Sequence, residues 1–174
     1  MMRSATSAGR RVRPPASCSL TEHFDAAYYS DCFTRHFYYS SDDPAIAIYR
    51  KMTHRTPAWI HRLLRWRDTL VKPLNMGATR GFNQKKESFS TQLSPGDPLD
   101  FFEVVRCEQD ELLLVHNDPH FHVSLSINME RHAHTHVIYL STLVTPRSAT
   151  GKFYTRAISP VHRRIVNSML NTLI

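Results

Sequence analysis

The spacing of apolar residues changes twice along this chain, and these changes constrain its fold more than any other feature. Between residues 58 and 74 apolar side chains recur every three to four positions, which is typical of an amphipathic helix. From residue 87 onward they alternate with polar ones, as in strands with one buried face. From residue 151 to the C-terminus the helical spacing returns. The sequence therefore predicts two helical regions separated by a run of strands.

Turn and capping residues set the limits of the predicted elements. Residues 32–39 are rich in aromatic side chains and are predicted as the first strand. Asp43 followed by Pro44 is a helix-start signal and predicts a short helix that ends near Met52. The alternating region divides into five predicted strands, at residues 87–93, 101–107, 111–116, 120–129 and 133–145.

The last predicted helix contains Pro160 in its interior. Its apolar stripe consists of Tyr154, Ile158, Val161, Ile165, Met169 and Leu173. Because proline has no N–H to donate, we expect the helix to kink or break near Ala157.

Helices and strands that are segregated along the chain predict an α+β fold. The short links between the strands favour an antiparallel sheet. A curved antiparallel sheet wrapped around a long C-terminal helix, with two short helices after the first strand, is the helix-grip fold. This arrangement leaves a cavity between sheet and helix, and we expect it to exceed roughly 300 Å³, as ligand sites commonly do.

The length of 174 residues fits one domain. Residues 1–19 hold four arginines and no acid, and we predict a disordered basic tail there, followed by a single domain over residues 20–174. An organellar targeting segment is the alternative for the tail. No apolar run is long enough for a membrane span. The three cysteines, which form no close pair, indicate a reducing compartment, so we expect a cytoplasmic protein.

The formal net charge of +7 divides into opposed regions. Residues 50–72 hold seven basic residues and one acid, whereas residues 97–118 hold seven acids and one arginine. This bipolar pattern is typical of solvated surfaces. We therefore expect no nucleic-acid partner, and a basic nucleic-acid binder remains a second alternative.

Five histidines fall in two neighbouring predicted strands: His120, His122, His132, His134 and His136. If paired residue numbers sum to an even value, all five share one face of the sheet, where three imidazoles could bind zinc. If the sum is odd, His134 and His136 instead share a face with Phe121 and Val123. The sequence leaves the register open, and we predict no cofactor.

Tyr154 and His162 on the final helix are the candidate catalytic residues, as acid and base at a cavity wall. They are eight residues apart, roughly 12 Å along the helix axis, so they cannot touch each other. The structural alternative makes Tyr154 a core aromatic with a satisfied hydroxyl. In that alternative His162 binds a carbonyl freed by Pro160.

Two aspartates have simpler expected roles. Asp68 is expected to pair with Arg65 or Lys72, one helical turn away. Asp118 precedes a proline and is expected to form an Asx-type turn.

Three stretches of the chain together resemble one known family. They are residues 29–33, residues 57–76, and a C-terminal set at residues 117–121, 142–144, 151–154 and 159–166. The ordered set resembles the bacterial family called domain of unknown function 2867, which is similar to the START/polyketide-cyclase-like helix-grip superfamily. The resemblance covers residues 28–174 and implies the same fold, but no activity. It also implies a possible Rossmann-type partner domain. His122, Ser124 and Val161 depart from the residues common in that family.

The leading functional prediction is a domain that binds a small apolar or amphipathic ligand, or a protein partner, between the sheet and the final helix. The residues predicted to line this site are Trp59, Phe121, Val123, Tyr154, Ile158 and His162. The alternative is a cyclase- or hydrolase-like enzyme that uses His162 and Tyr154 or a histidine-bound metal. No nucleophile motif accompanies these residues.

Overall fold

The computed structural model describes residues 10–37, 42–74, 76–78, 82, 93–133 and 135–173. Within these residues it contains seven strands: β1 (Arg10–Arg11), β2 (Tyr29–Phe37), β3 (Pro98–Leu99), β4 (Phe102–Cys107), β5 (Glu111–Asn117), β6 (Phe121–Arg131) and β7 (His136–Pro146). The α-helices of the same part of the chain are α1 (Ala45–His54), α2 (Ala58–Val71) and α3 (Ala149–Asn171). The predicted strand at residues 87–93 lies outside the described residues except for its last position.

The strands form one open antiparallel sheet in the order β1-β2-β7-β6-β5-β4-β3. β6 and β7 each have 11 residues and lie at its centre, joined by a tight connection as the sequence predicts. A β-bulge between Val104 and Arg106 interrupts the pairing of β4 with β5. Bulges bend the strand that carries them, which suits a sheet curved around a helix.

One face of the sheet, here called the inner face, packs against α1 and α3. Cross-strand pairing places Asp31, Thr142, Leu125 and Leu114 in one row across this face. Alternate residues of each strand share a face, so this row fixes the inner residues of all four strands. The main core cluster lies here and joins Ile46, Met52, Leu114, Ile127 and Leu170, among others. Burial of these side chains supplies the main hydrophobic stabilisation of the fold.

The opposite, outer face is covered by the N-terminal segment. Cys18, Leu20 and Phe24 form a buried cluster with Cys32 and Leu143 of the sheet. The strand β1 also pairs with β2 through its two residues.

Residues 10–19 therefore belong to the packed part of the molecule, although the sequence predicted a disordered tail there. Buried Glu111 anchors them, since its carboxylate accepts hydrogen bonds from the Ser19 backbone N–H at 2.8 Å and the Ser19 hydroxyl at 2.6 Å. The basic composition of the segment concealed the apolar residues that cover the sheet. Residues 1–9 lie outside the described part of the chain.

The order of elements confirms the predicted α+β helix-grip architecture, with two helices after the first long strand and a long C-terminal helix. The helix α3 starts two residues earlier than predicted. Ser148 caps it by accepting a hydrogen bond from the Gly151 N–H at 3.0 Å.

Of the two outcomes expected near Ala157, a kink or a break, the break does not occur, because α3 is continuous through Pro160. Pro160 cannot donate to the carbonyl of Arg156, four residues earlier. The Ser159 hydroxyl donates to that carbonyl instead, at 3.0 Å. The freed carbonyl therefore has a partner, and the expectation that His162 would bind it is wrong.

No helix among the described residues combines the length and the apolar character that crossing a membrane requires.

Candidate functional site

A cavity of about 220 Å³ lies between the inner face of the sheet and the helices α2 and α3. Its walls are largely apolar and include Phe101, Phe102, Phe121, Leu125, Leu140 and Ile165. The cavity is smaller than the roughly 300 Å³ expected from the sequence. The stacked rings of Phe121 and Tyr154, 5.6 Å apart, occupy part of the space that a wider sheet–helix gap would leave.

Five of the six predicted lining residues do line this cavity: Phe121, Val123, Tyr154, Ile158 and His162. Trp59 does not. Its ring lies in a separate surface groove between α2 and α3, where the guanidinium carbon of Arg164 is 5.6 Å from the ring centroid. Trp59 also packs, partly buried, against the main core cluster, and helical periodicity alone does not resolve which side of α2 faces the cavity.

One polar cluster of the cavity region joins β2 to α3. His162 Nδ1 is 3.1 Å from Asp31 Oδ2, and the Tyr29 hydroxyl donates to the same oxygen at 2.5 Å. Asp31 is fully buried, whereas 28% of the His162 side chain is exposed. The rings of Tyr29 and His162 meet edge to face, with centroids 6.1 Å apart. The sheet thus holds a buried carboxylate directly beneath a histidine that lines the cavity.

Burial and the hydrogen bond to Asp31 raise the pKa of Tyr29 to about 12, while Arg163 acts in the opposite direction. Tyr29 therefore keeps its proton at neutral pH and remains a donor to Asp31. The other oxygen of Asp31, Oδ1, and the hydroxyl of its cross-strand neighbour Thr142 are buried without a hydrogen-bond partner in the described structure. Buried polar atoms without a partner cost free energy, and two of them are adjacent where Asp31 and Thr142 pair.

A second polar cluster joins α2 to the start of α3. Arg67 Nε donates to the Tyr154 hydroxyl at 2.9 Å. Its Nη1 donates to Asp68 at 2.9 Å and to the Gly77 carbonyl at 2.7 Å. Asp68 is therefore bonded to the adjacent Arg67, a partner that the sequence did not suggest. The hydroxyl of Tyr154 accepts one hydrogen bond and keeps its own proton for a further acceptor.

The start of α3 is fixed against the turn between β5 and β6. A Cβ added at Gly151 would collide with the carbonyl oxygen of His120, so the backbones approach too closely there for any other residue. His120 Nδ1 is also 2.9 Å from the Ser148 hydroxyl. Asp118 accepts from the His120 N–H at 2.9 Å, which confirms the predicted Asx-type turn. The contact between Gly151 and the His120 backbone therefore fixes the position of Tyr154, one turn further along α3, relative to the sheet.

The register of β6 and β7 resolves the alternatives left open for the histidines. Phe121 pairs with Pro146 and Arg131 with His136, so paired residue numbers have an odd sum. His136 therefore shares the face of Phe121, whereas His122 lies on the opposite face and bonds to Asn117 Oδ1 at 2.7 Å. The described residues contain no group of three potential metal ligands, and His134 lies outside them. The arrangement with all five histidines on one face is not realised.

Sequence reasoning missed the roles of Asp31, Tyr29 and Arg67. Asp31 lies in an aromatic-rich strand with the same parity as Tyr29 and Phe33, and all three face inward. An acid at a core-facing strand position is rare unless it is paired, and this was the available signal. Its partner His162 lies 131 residues away, a distance that no local pattern bridges.

The curved antiparallel sheet, the long C-terminal helix and the cavity between them define a helix-grip protein. The chain belongs to the family described as "Protein of unknown function (DUF2867)", whose model matches residues 23–169. No curated protein matches the chain.

Two solved structures are similar to the chain. CalU16 from Micromonospora echinospora has 14% sequence identity and a TM-score of 0.36, over 80% of this chain and 82% of that chain. Mll3558 from Rhizobium loti has 9% sequence identity and a TM-score of 0.36, over 83% of this chain and 97% of that chain.

Proposed function

We propose that this protein binds a small amphipathic ligand in the cavity between the inner face and α3. One observation carries the proposal: an apolar cavity has a polar side chain at each end, Tyr154 bonded to Arg67 and His162 bonded to Asp31. Ligand sites commonly combine apolar walls with a few placed polar groups.

The volume of the cavity limits the ligand. A volume of about 220 Å³ lies below the range of roughly 300–1,000 Å³ that is common for ligand pockets. A single ring with short substituents fits this space, whereas a long acyl chain or a peptide segment does not. The volume therefore favours a small molecule over a protein partner as the occupant of the cavity.

The spacing of the polar ends adds a further constraint. Tyr154 and His162 are roughly 12 Å apart along α3, so they contact opposite ends of one molecule. They bond to different partners and cannot act together at one atom of the ligand. This separation disfavours the two-residue acid–base pair considered from the sequence.

Native mass spectrometry of the purified full chain tests the proposal, with a co-purified or added small aromatic compound as the ligand. Val123→Phe adds a ring at the cavity wall, whereas Val105→Phe adds the same ring at an exposed position outside it. We expect the bound mass to disappear in Val123→Phe and to remain in Val105→Phe. Equal binding by both variants would contradict a ligand in this cavity.

A further inference from the structure

The hydrogen bonds of Asp31 fix the state of His162. A carboxylate only accepts, so His162 Nδ1 carries the proton that it shares with Asp31 Oδ2. In the neutral imidazole the other nitrogen, Nε2, then holds a lone pair. Nε2 has no hydrogen-bond partner in the described structure. It is not fully buried, and the His162 ring lines the cavity, so this nitrogen is accessible. The cavity therefore has a proton acceptor at this end.

Asp31 is the charged group that faces the His162 ring from the sheet. Asp31 is fully buried, and a buried carboxylate is strongly stabilised by an adjacent cation. Tyr29 stays protonated and keeps donating to the same carboxylate. Thr142, the inner-face neighbour on β7, is uncharged. Arg163, next to His162 on α3, is the opposing positive charge and lies near the Tyr29 hydroxyl.

We infer that the cavity takes a weak organic acid of the phenol or enol type, and that His162 Nε2 accepts its proton. This inference rests on the proposed ligand binding. In the step, the O–H bond of the ligand breaks and an N–H bond forms at Nε2. The electron pair stays on the ligand oxygen, and the imidazolium lies against the Asp31 carboxylate. Release reverses the step, so no further reactant is needed.

The apolar walls select this class of acid. A carboxylic acid is already ionised in water and would have to enter the cavity as a desolvated anion, which is costly. A phenol or enol enters as a neutral molecule and ionises only beside His162. Its ring can pack among the aromatic side chains Phe101, Phe102 and Phe121.

The opposite end of the cavity adds a second recognition group. Tyr154 accepts from Arg67, so its own hydroxyl proton is available to a ligand acceptor. A ligand with an acceptor group across the ring from its hydroxyl could therefore contact both ends. The probe 4-nitrophenol has this shape, and 4-nitroanisole is the same ring with the acidic proton replaced by a methyl group.

The test measures binding of both probes to the full chain by equilibrium dialysis, and the phenolate absorption band of bound 4-nitrophenol at a pH where the free probe is mostly neutral. His162→Gln keeps a hydrogen-bonding side chain that cannot take a proton, and His132→Gln is the control at an exposed histidine. Asp31→Asn is a second variant, which leaves the imidazole but removes the negative charge that stabilises its protonated form.

We expect 4-nitrophenol to bind at least about tenfold more tightly than 4-nitroanisole, and to show a larger phenolate fraction when bound than when free. His162→Gln should lose both effects while it still binds 4-nitroanisole, which shows that it is folded. His132→Gln should behave as the unmodified protein. Asp31→Asn should lower the phenolate fraction.

An unchanged phenolate band in His162→Gln would overturn the inference. Equal affinity for the two probes, with no phenolate increase, would also overturn it while leaving ligand binding in place. If neither probe binds, both this inference and the proposed binding of a small aromatic ligand fail.

Discussion

At the scale of single residues, one buried carboxylate organises the polar end of the cavity. Asp31 accepts from Tyr29 and His162 and brings together β2 and α3. His162 and Tyr154 could be selected from the sequence because they border an apolar helical stripe. Asp31 could not, because its role depends on a contact across 131 residues.

The hydroxyl of Tyr29 gives a pH-dependent prediction. Burial and Asp31 raise its pKa from the ordinary value of 10.0 to about 12 in the folded protein. The stability that the protonated Tyr29 hydroxyl contributes is therefore fully present below pH 10 and is lost as the pH rises toward 12. Between these values the free energy of unfolding should fall more steeply in the unmodified protein than in Tyr29→Phe. Parallel curves from denaturant unfolding would contradict this assignment.

Glu111 gives a second residue-scale prediction. It is buried and accepts from Ser19 and Ser126, so its loss leaves several donors without a partner. Glu111→Ala should lower the free energy of unfolding by about 2–4 kcal/mol in urea titrations. Glu108→Ala, at a largely exposed side chain, should change it by less than about 0.5 kcal/mol. Similar losses in both variants would show that the contact with the N-terminal segment is not stabilising.

At the scale of elements, helix periodicity and strand alternation predicted the types and order of the elements better than their pairing. The register of β6 with β7 was open because β7 has polar residues at both odd and even positions, although β6 alternates cleanly between apolar and polar residues. The structure adopts the pairing that places Ile138, Leu140 and Val144 of β7 on the same face as the apolar residues of β6, which buries more apolar surface than a shared histidine face would. Tertiary packing thus determined the register of β6 with β7, which the local pattern left open.

Because α3 packs against the turn between β5 and β6, replacing Gly151 by alanine is predicted to have the opposite effect on stability from the usual one. In an ordinary helix, replacing glycine by alanine stabilises by about 1 kcal/mol. Here the added Cβ collides with the His120 carbonyl, so Gly151→Ala should destabilise by about 1–3 kcal/mol in thermal or denaturant unfolding. A stabilised Gly151→Ala variant would show that α3 does not approach the turn this closely.

The continuous passage of α3 through Pro160 predicts a coupling between Ser159 and Pro160. Ser159 donates to the Arg156 carbonyl, which an ordinary residue at position 160 would bond through its own N–H. Ser159→Ala should therefore cost about 1 kcal/mol in the unmodified background and much less in Pro160→Ala. A double-mutant cycle measured by urea unfolding gives the coupling, and additive effects would contradict this role of Ser159.

At the scale of the whole molecule, the helix-grip arrangement could be predicted because the spacing of apolar residues changes wherever the chain passes between the helices and the sheet. Two features were beyond it. The cavity is smaller than expected, since the packing of Phe121 against Tyr154 depends on side-chain conformations that periodicity does not contain. The coverage of the outer face by residues 10–24 was hidden by a basic composition that is typical of a tail.

The central claim is that a small ligand binds inside the cavity between the inner face and α3. Methyl-resolved NMR of the full chain, titrated with 4-nitroanisole, tests it most directly. We predict saturable shifts for methyl groups that line the cavity, such as those of Leu64, Val123, Leu125 and Leu140. The methyl groups of Leu20 and Leu143 on the outer face should not shift. Shifts confined to the outer face, or none in the cavity, would contradict the account.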